Sequence, residues 1–184
     1  MNPEQEPIVL LGRNGDEVDL GLAFHAYESS KELAYSLDGF WRTPFKDADR
    51  QNRAETLVSK LIEFSVNARR YLELVGDDEL ADCILPSNSE LTFRFAVNRP
   101  VHGLTFIPEY RNTHHDGDQA SDLNTTLVGV NVQTDHQEMA YIDLADLCSV
   151  FLNHKPRKLF EALEQREIKS KKARKCAIDN LEKD

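Results

Sequence analysis

Within residues 111–122, the segment Arg111-Asn112-Thr113-His114-His115-Asp116-Gly117-Asp118-Gln119-Ala120-Ser121-Asp122 gathers two histidines and three carboxylates. These are the borderline and hard donors that zinc, manganese or iron sites use. His114, His115, Asp116 and Asp118 are therefore the candidate ligands for a divalent metal. Such an ion would activate water, with His102 assisting proton transfer, as in a metal-dependent hydrolase or nuclease. The spacing matches no established pattern: there is no H-E-x-x-H, and adjacent histidines in an extended segment point in different directions. An EF-hand starting at Asp116 fails because its sixth position is Ser121 and its twelfth is Leu127, where glycine and glutamate are needed. A solvated polar loop explains the same composition, since these residues serve turn conformations for backbone reasons alone. No cofactor is required by the sequence.

A second pair lies in Arg99-Pro100-Val101-His102-Gly103. Proline and glycine should force a turn that leaves Arg99 and His102 near each other, as an anion contact with an acid/base partner or simply as exposed side chains. Four further arginines, Arg50, Arg53, Arg69 and Arg70, fall mostly off the apolar stripe of a long helix. They form either a solvated face or an anion-binding surface. His25, His136 and His154 follow helix-boundary, turn and helix-end logic, and no chemistry is assigned to them.

Charge is unevenly spread. Residues 1–154 hold 12 Lys/Arg against 26 Asp/Glu, and residues 155–184 hold 10 against 6, within a chain of net charge −10. A basic tail thus follows an acidic body. It can fold back on that body, or it can project and present Lys169, Lys171, Lys172, Arg174 and Lys175 to a partner or to nucleic acid. The body would repel phosphate, so nucleic-acid binding through the C-terminal helix would depend on the tail acting alone.

Several classes are excluded by what is missing. There is no Gly-rich phosphate loop, no G-x-G-x-x-G, no G-x-S-x-G elbow and no kinase set, so nucleotide-dependent catalysis of the familiar kinds is not expected. Cys83, Cys148 and Cys176 are odd in number and widely spaced, which fits structural thiols in a reducing cytoplasm. No stretch has the apolar length of a membrane span, and residues 1–7 lack a signal-peptide pattern. At 184 residues with 40% hydrophobic content, one domain spanning residues 1–184 is expected, long enough to bury one core.

These residues must be positioned by an α+β fold. Ile8 to Leu11 reads as a short strand or arm before Asn14-Gly15. A helix follows, capped by Asp16 or Asp19, carrying Leu20, Phe24, Tyr27, Ala34 and Leu37 on one face and stopping near Asp38-Gly39. Phe40 to Phe45 reads as an aromatic connector, and if exposed it would form a homodimer surface together with the two long helices. The second helix, over 47–75, has the stripe Leu57, Leu61, Phe64, Ala68, Leu72 and Val75 and a stop at Gly76. After a helical turn around 77–83, alternation through Leu91, Phe93, Phe95 and Val97 predicts a strand. Leu104 to Ile107 predicts another, followed by the longest loop, over 108–124. Leu127 to Val132 and Met139 to Leu144 then form a hairpin, so the middle of the chain is a small antiparallel meander. Leu144, Leu147, Cys148 and Phe151 open the first of two C-terminal helices, and Pro156 starts the second.

Two long N-terminal helices, a central meander and two closing helices in one domain carry no recognisable catalytic signature. The functional expectation is a non-catalytic, cytoplasmic binding or regulatory protein acting through a protein partner or self-association, with no membrane, presenting the loop 108–124 and the basic C-terminal helix, with Arg99, His102 and Arg111 as further partner contacts. The metal-dependent hydrolase is the alternative.

Overall fold

The computed structural model describes residues 18–113 and 124–181, with the side chains of 47, 113, 124 and 173–181 outside that description. The expected arm at Ile8 to Leu11 lies outside the described residues. Helix α1 (Leu20–Arg42) starts where the Asp19 carboxylate accepts from Gly21 N and Leu22 N at 2.9 and 3.1 Å, an N-cap that satisfies two otherwise orphaned donors. It runs through Gly39, past the predicted stop. Phe40 belongs to its last turn and is buried, as is Phe45 in the two-residue strand β1 (Phe45–Lys46). The two ends of the aromatic connector, Phe40 and Phe45, are therefore part of the core, while residues 42–44 are exposed.

Helix α2 (Arg50–Val75) buries every member of its predicted stripe. Full burial of one such Leu or Phe side chain contributes roughly 1.5–3 kcal/mol. It ends at Gly76, whose φ of 63° is left-handed, a conformation that glycine adopts without a Cβ penalty. Arg50 and Arg53, candidates for an anion surface, instead lie over the rings of Tyr110 (4.5 Å) and Phe45 (5.6 Å), where the π-face attracts the cation. A single helical turn, α3 (Asp78–Ala81), leads into a small hairpin of β2 (Ile84–Leu85) and β3 (Asn88–Thr92).

The expected strand through Phe93, Phe95 and Val97 is a helix, α4 (Phe93–Val101). The sequence fits both periods. Thr92 Oγ1 caps Phe95 N at 3.5 Å, and the buried set is Phe93, Ala96, Val97 and Pro100, at helical spacing, while Phe95 faces outward. Phe93 stacks on Phe151 (5.9 Å, 21°), and Phe64 meets Phe151 edge-on (5.4 Å, 88°). This aromatic joint seats α4 between α2 and α5, and tertiary packing of this kind overrides a local alternation. Arg99 to His102 thus forms a helix end and not a turn between strands.

Strand β4 (Gly103–Thr113) pairs antiparallel with β5 (Asn124–Thr134) from Gly103↔Thr134 to Thr113↔Asn124. Residues 108–113, expected in the loop, continue the strand. β4 has no second neighbour among the described strands, and an edge strand tolerates Pro108, which has no N–H to donate. The opposite edge of β5 takes β6 (Ala140–Asp143) and, at Phe45↔Thr125, β1. β4, β5 and β6 make the expected meander in one α+β fold. Gly129 lies so close under the Tyr141 ring that a Cβ there would collide with it. Helix α5 (Leu144–Asn153) then buries Leu147, Cys148 and Phe151, and burial pushes the Cys148 thiol pKa up, away from reactivity. Helix α6 (Arg157–Leu181) packs Leu159 and Ala162 against the body, and its residues 166–172 are exposed. No helix among the described residues is long and apolar enough to cross a membrane.

Candidate functional site

Register brings α4 to the far end of the β5–β6 hairpin. Gly103 pairs with Thr134, so the last turn of α4 meets the residues that follow β5. On its other side α4 packs on α2. A cleft of about 420 Å³ opens where the three meet, and Arg69 from α2, Asn98, Arg99 and His102 from α4, and Thr134 to Gln137 from the hairpin line it. The Arg99 and His102 pair singled out in the sequence shares this cleft with Arg69, which was considered for a separate surface.

Each group has a definite partner or lacks one. Arg69 donates from Nη1 to His102 Nε2 at 3.2 Å and from Nε to Glu73 at 2.7 Å. A guanidinium cannot accept, so His102 Nε2 is the acceptor and its ring proton sits on Nδ1. Arg99 donates from Nη1 to the Glu138 carbonyl at 2.7 Å, while its Nε is buried with no hydrogen-bond partner. Burial lowers the Arg99 pKa, because the charged form is partly desolvated. Leaving such a donor unsatisfied costs about 1–3 kcal/mol, more when it is charged. His136 pairs with Asp135 at 3.1 Å on the exposed rim.

Two electrostatic features oppose an anion here: Asp135, and the C-terminal end of α4, whose dipole amounts to roughly half a negative charge. Asp135 is paired with His136, and Glu73 already engages Arg69. Arg99 carries a charge with no carboxylate partner among the described residues, and it is at this guanidinium that a negative ligand would be held.

A second polar cluster lies on the other side of α2. Asp77 accepts from Tyr71 Oη (2.6 Å), His154 Nε2 (2.6 Å) and Leu80 N (3.2 Å). Burial by itself would raise the Asp77 pKa. The bonds from His154 and Tyr71, the nearby His154 and the Leu80 amide outweigh it and hold the carboxyl below its ordinary value. Tyr71 is pushed strongly up by burial and by Asp77. Every group here is satisfied, so the cluster is a clasp that ties the α5–α6 junction to the end of α2. His154, which had only a helix-end role in the sequence, is its 77-residue-distant partner.

The remaining candidates lie elsewhere. His114, His115, Asp116 and Asp118 fall outside the described residues, and no group of three metal-ligating side chains occurs among the described ones. Thr113 and Asn124, which bracket that segment, sit at the opposite end of the hairpin from Gly103 and Thr134, on the order of 30 Å away by strand rise. Arg111 is near that end, pairing with Thr126, and does not join Arg99. Lys169, Lys171 and Lys172 are exposed on α6, with Lys171 bonded to Glu167 at 2.6 Å. Arg174 and Lys175 are in α6, but their side chains are not described. His136 had only turn logic in the sequence; its placement beside Arg99 depends on strand register, which no local pattern encodes. Compared with known proteins, the chain matches no protein-family model, no curated protein and no solved structure.

Proposed function

We propose that the protein is a binding module that engages an acidic group on a protein partner through the cleft formed by α2, α4 and the β5–β6 hairpin. The observation that carries this reading is the Arg99 guanidinium, which has no carboxylate partner among the described residues and shares one cleft with Arg69 and His102. A bound oxyanion would supply the countercharge that the Arg99 guanidinium lacks. The surroundings support a protein ligand: Phe95 is 50% exposed on the cleft wall, Met139 (43%) adjoins the Glu138 carbonyl that holds Arg99, and Leu104 (71%) follows Gly103. Arginine and aromatic side chains at one site are the composition enriched in interface hot spots.

Panels of acidic and charge-neutral peptides titrated into the full chain test this. Acidic peptides with apolar flanks should bind best, weaken with salt, and lose about tenfold or more in affinity, or 1.4 kcal/mol, in Arg99→Ala. Equal binding of neutral peptides, or an Arg99→Ala variant that binds as well as the wild type, would remove the cleft from consideration.

A further inference from the structure

Resting on that reading, we infer that the acidic group is a phosphate monoester borne by a side chain of the partner. The spread of the donors and the charge they must compete for favour a tetrahedral dianion over a carboxylate. A carboxylate can also take donors from several elements, as Asp77 does, but its two oxygens lie in one plane and carry one charge. Here the donors come from three separate elements: Arg69 on α2, Asn98, Arg99 and His102 on α4, and His136 on the hairpin. A phosphate monoester has three strongly accepting oxygens that can use such a spread. Charge points the same way. Arg69 is held by Glu73 at 2.7 Å, and a monoanion would only match that competitor, whereas a dianion exceeds it.

The space fits a phosphorylated side chain. At about 420 Å³ the cleft lies at the small end of ligand sites, larger than an isolated oxyanion needs. Phe95, half exposed on its wall, gives an apolar surface for the stem or ring that carries the phosphate. A polynucleotide is disfavoured because the chain carries a net charge of −10, which repels a polyanion, while one dianionic group can be held locally. The exposed lysines of α6 belong to a helix that packs on α1, away from α4.

The test is an amide-resolved NMR titration of the full chain with phenyl phosphate, inorganic phosphate, acetate and a short single-stranded RNA lacking a terminal phosphate. Phenyl phosphate should shift the amides of Asn98, His102 and His136 saturably and bind at least about tenfold more tightly than acetate. Inorganic phosphate should bind more weakly than phenyl phosphate, since it gains nothing from Phe95. Arg99→Ala should abolish the shifts, Arg99→Lys should restore only part of the affinity for want of a fork, and Arg70→Ala, exposed on α2 outside the cleft, should leave it unchanged. Unchanged amide dispersion in Arg99→Lys separates lost binding from lost folding. Acetate binding as tightly as phenyl phosphate would overturn the phosphate assignment and leave the acidic-partner reading intact. No shift with any anion would overturn both. RNA binding at these amides without phenyl phosphate binding would overturn the protein-borne ligand.

Discussion

Arg69 and Tyr71 leave α2 two residues apart and enter opposite environments. Tyr71 is fully buried and donates to Asp77, which also takes His154 and the Leu80 amide. Arg69 reaches a cleft open to solvent, beside an Arg99 whose Nε has no partner. Both sites are polar clusters that join elements distant in sequence. In the clasp every donor is answered within the chain, so the cluster contributes to stability. In the cleft the Arg99 guanidinium has no carboxylate partner among the described residues, and a countercharge would have to come from a ligand.

The sharpest way to break this contrast is at Asp77. Asp77→Ala should destabilise the protein by about 3 kcal/mol, because it strands the buried Tyr71 hydroxyl and His154 ring, as read from urea denaturation. A loss below about 1 kcal/mol would make the clasp no more than a surface pair.

The same carboxyl sets a pH dependence. Its folded-state pKa is depressed, so its stabilisation is complete above the ordinary carboxylate value and is lost as pH falls through the lower folded value. The stability gap between wild type and Asp77→Asn should therefore be widest at neutral pH and narrow on acidification, measured by thermal melts across the acid range. A gap that widens in acid would contradict the assignment.

Arg99→Ala should do the reverse of Asp77→Ala. Ligand binding should be lost while unfolding free energy changes by less than about 1 kcal/mol, or even rises, since a buried unsatisfied donor is removed. Gly76→Ala should cost about 1 kcal/mol through its left-handed φ of 63°, with anion binding unaffected. The smallest effect is expected at Ser65, one turn before Arg69 on α2, whose buried hydroxyl also lacks a partner. Ser65→Ala should be neutral or stabilising by up to about 1 kcal/mol and should not alter binding, which distinguishes an unsatisfied core hydroxyl from an unsatisfied group in a cleft.

Strong local signals made much of the fold readable along the chain. The α2 stripe with its Gly76 stop, the β5–β6 hairpin and the Leu144 to Phe151 helix depend on period and turn chemistry within a few residues, and these survive in any context that buries the apolar face. The α4 segment shows where this fails. Leu91, Phe93, Phe95 and Val97 alternate as a strand would, while Phe93, Ala96, Val97 and Pro100 fit a helix equally well. Burial against Phe64 and Phe151 chooses between them.

The candidate site divides the same way. Arg99 and His102 were readable as neighbours because only Pro100 and Val101 lie between them in sequence. Arg69, 33 residues from His102, and His136 join them only through the α2–α4 packing and the β4–β5 register. The sequence by itself therefore determined which segments carry apolar faces and which residue types could bind an anion. Only the tertiary structure decided which of those residues share a cleft and which, like Tyr71, Asp77 and His154, are used up inside the fold. Periodicity is a property of neighbours along the chain, whereas convergence and the satisfaction of buried donors are set by contacts between elements far apart in it.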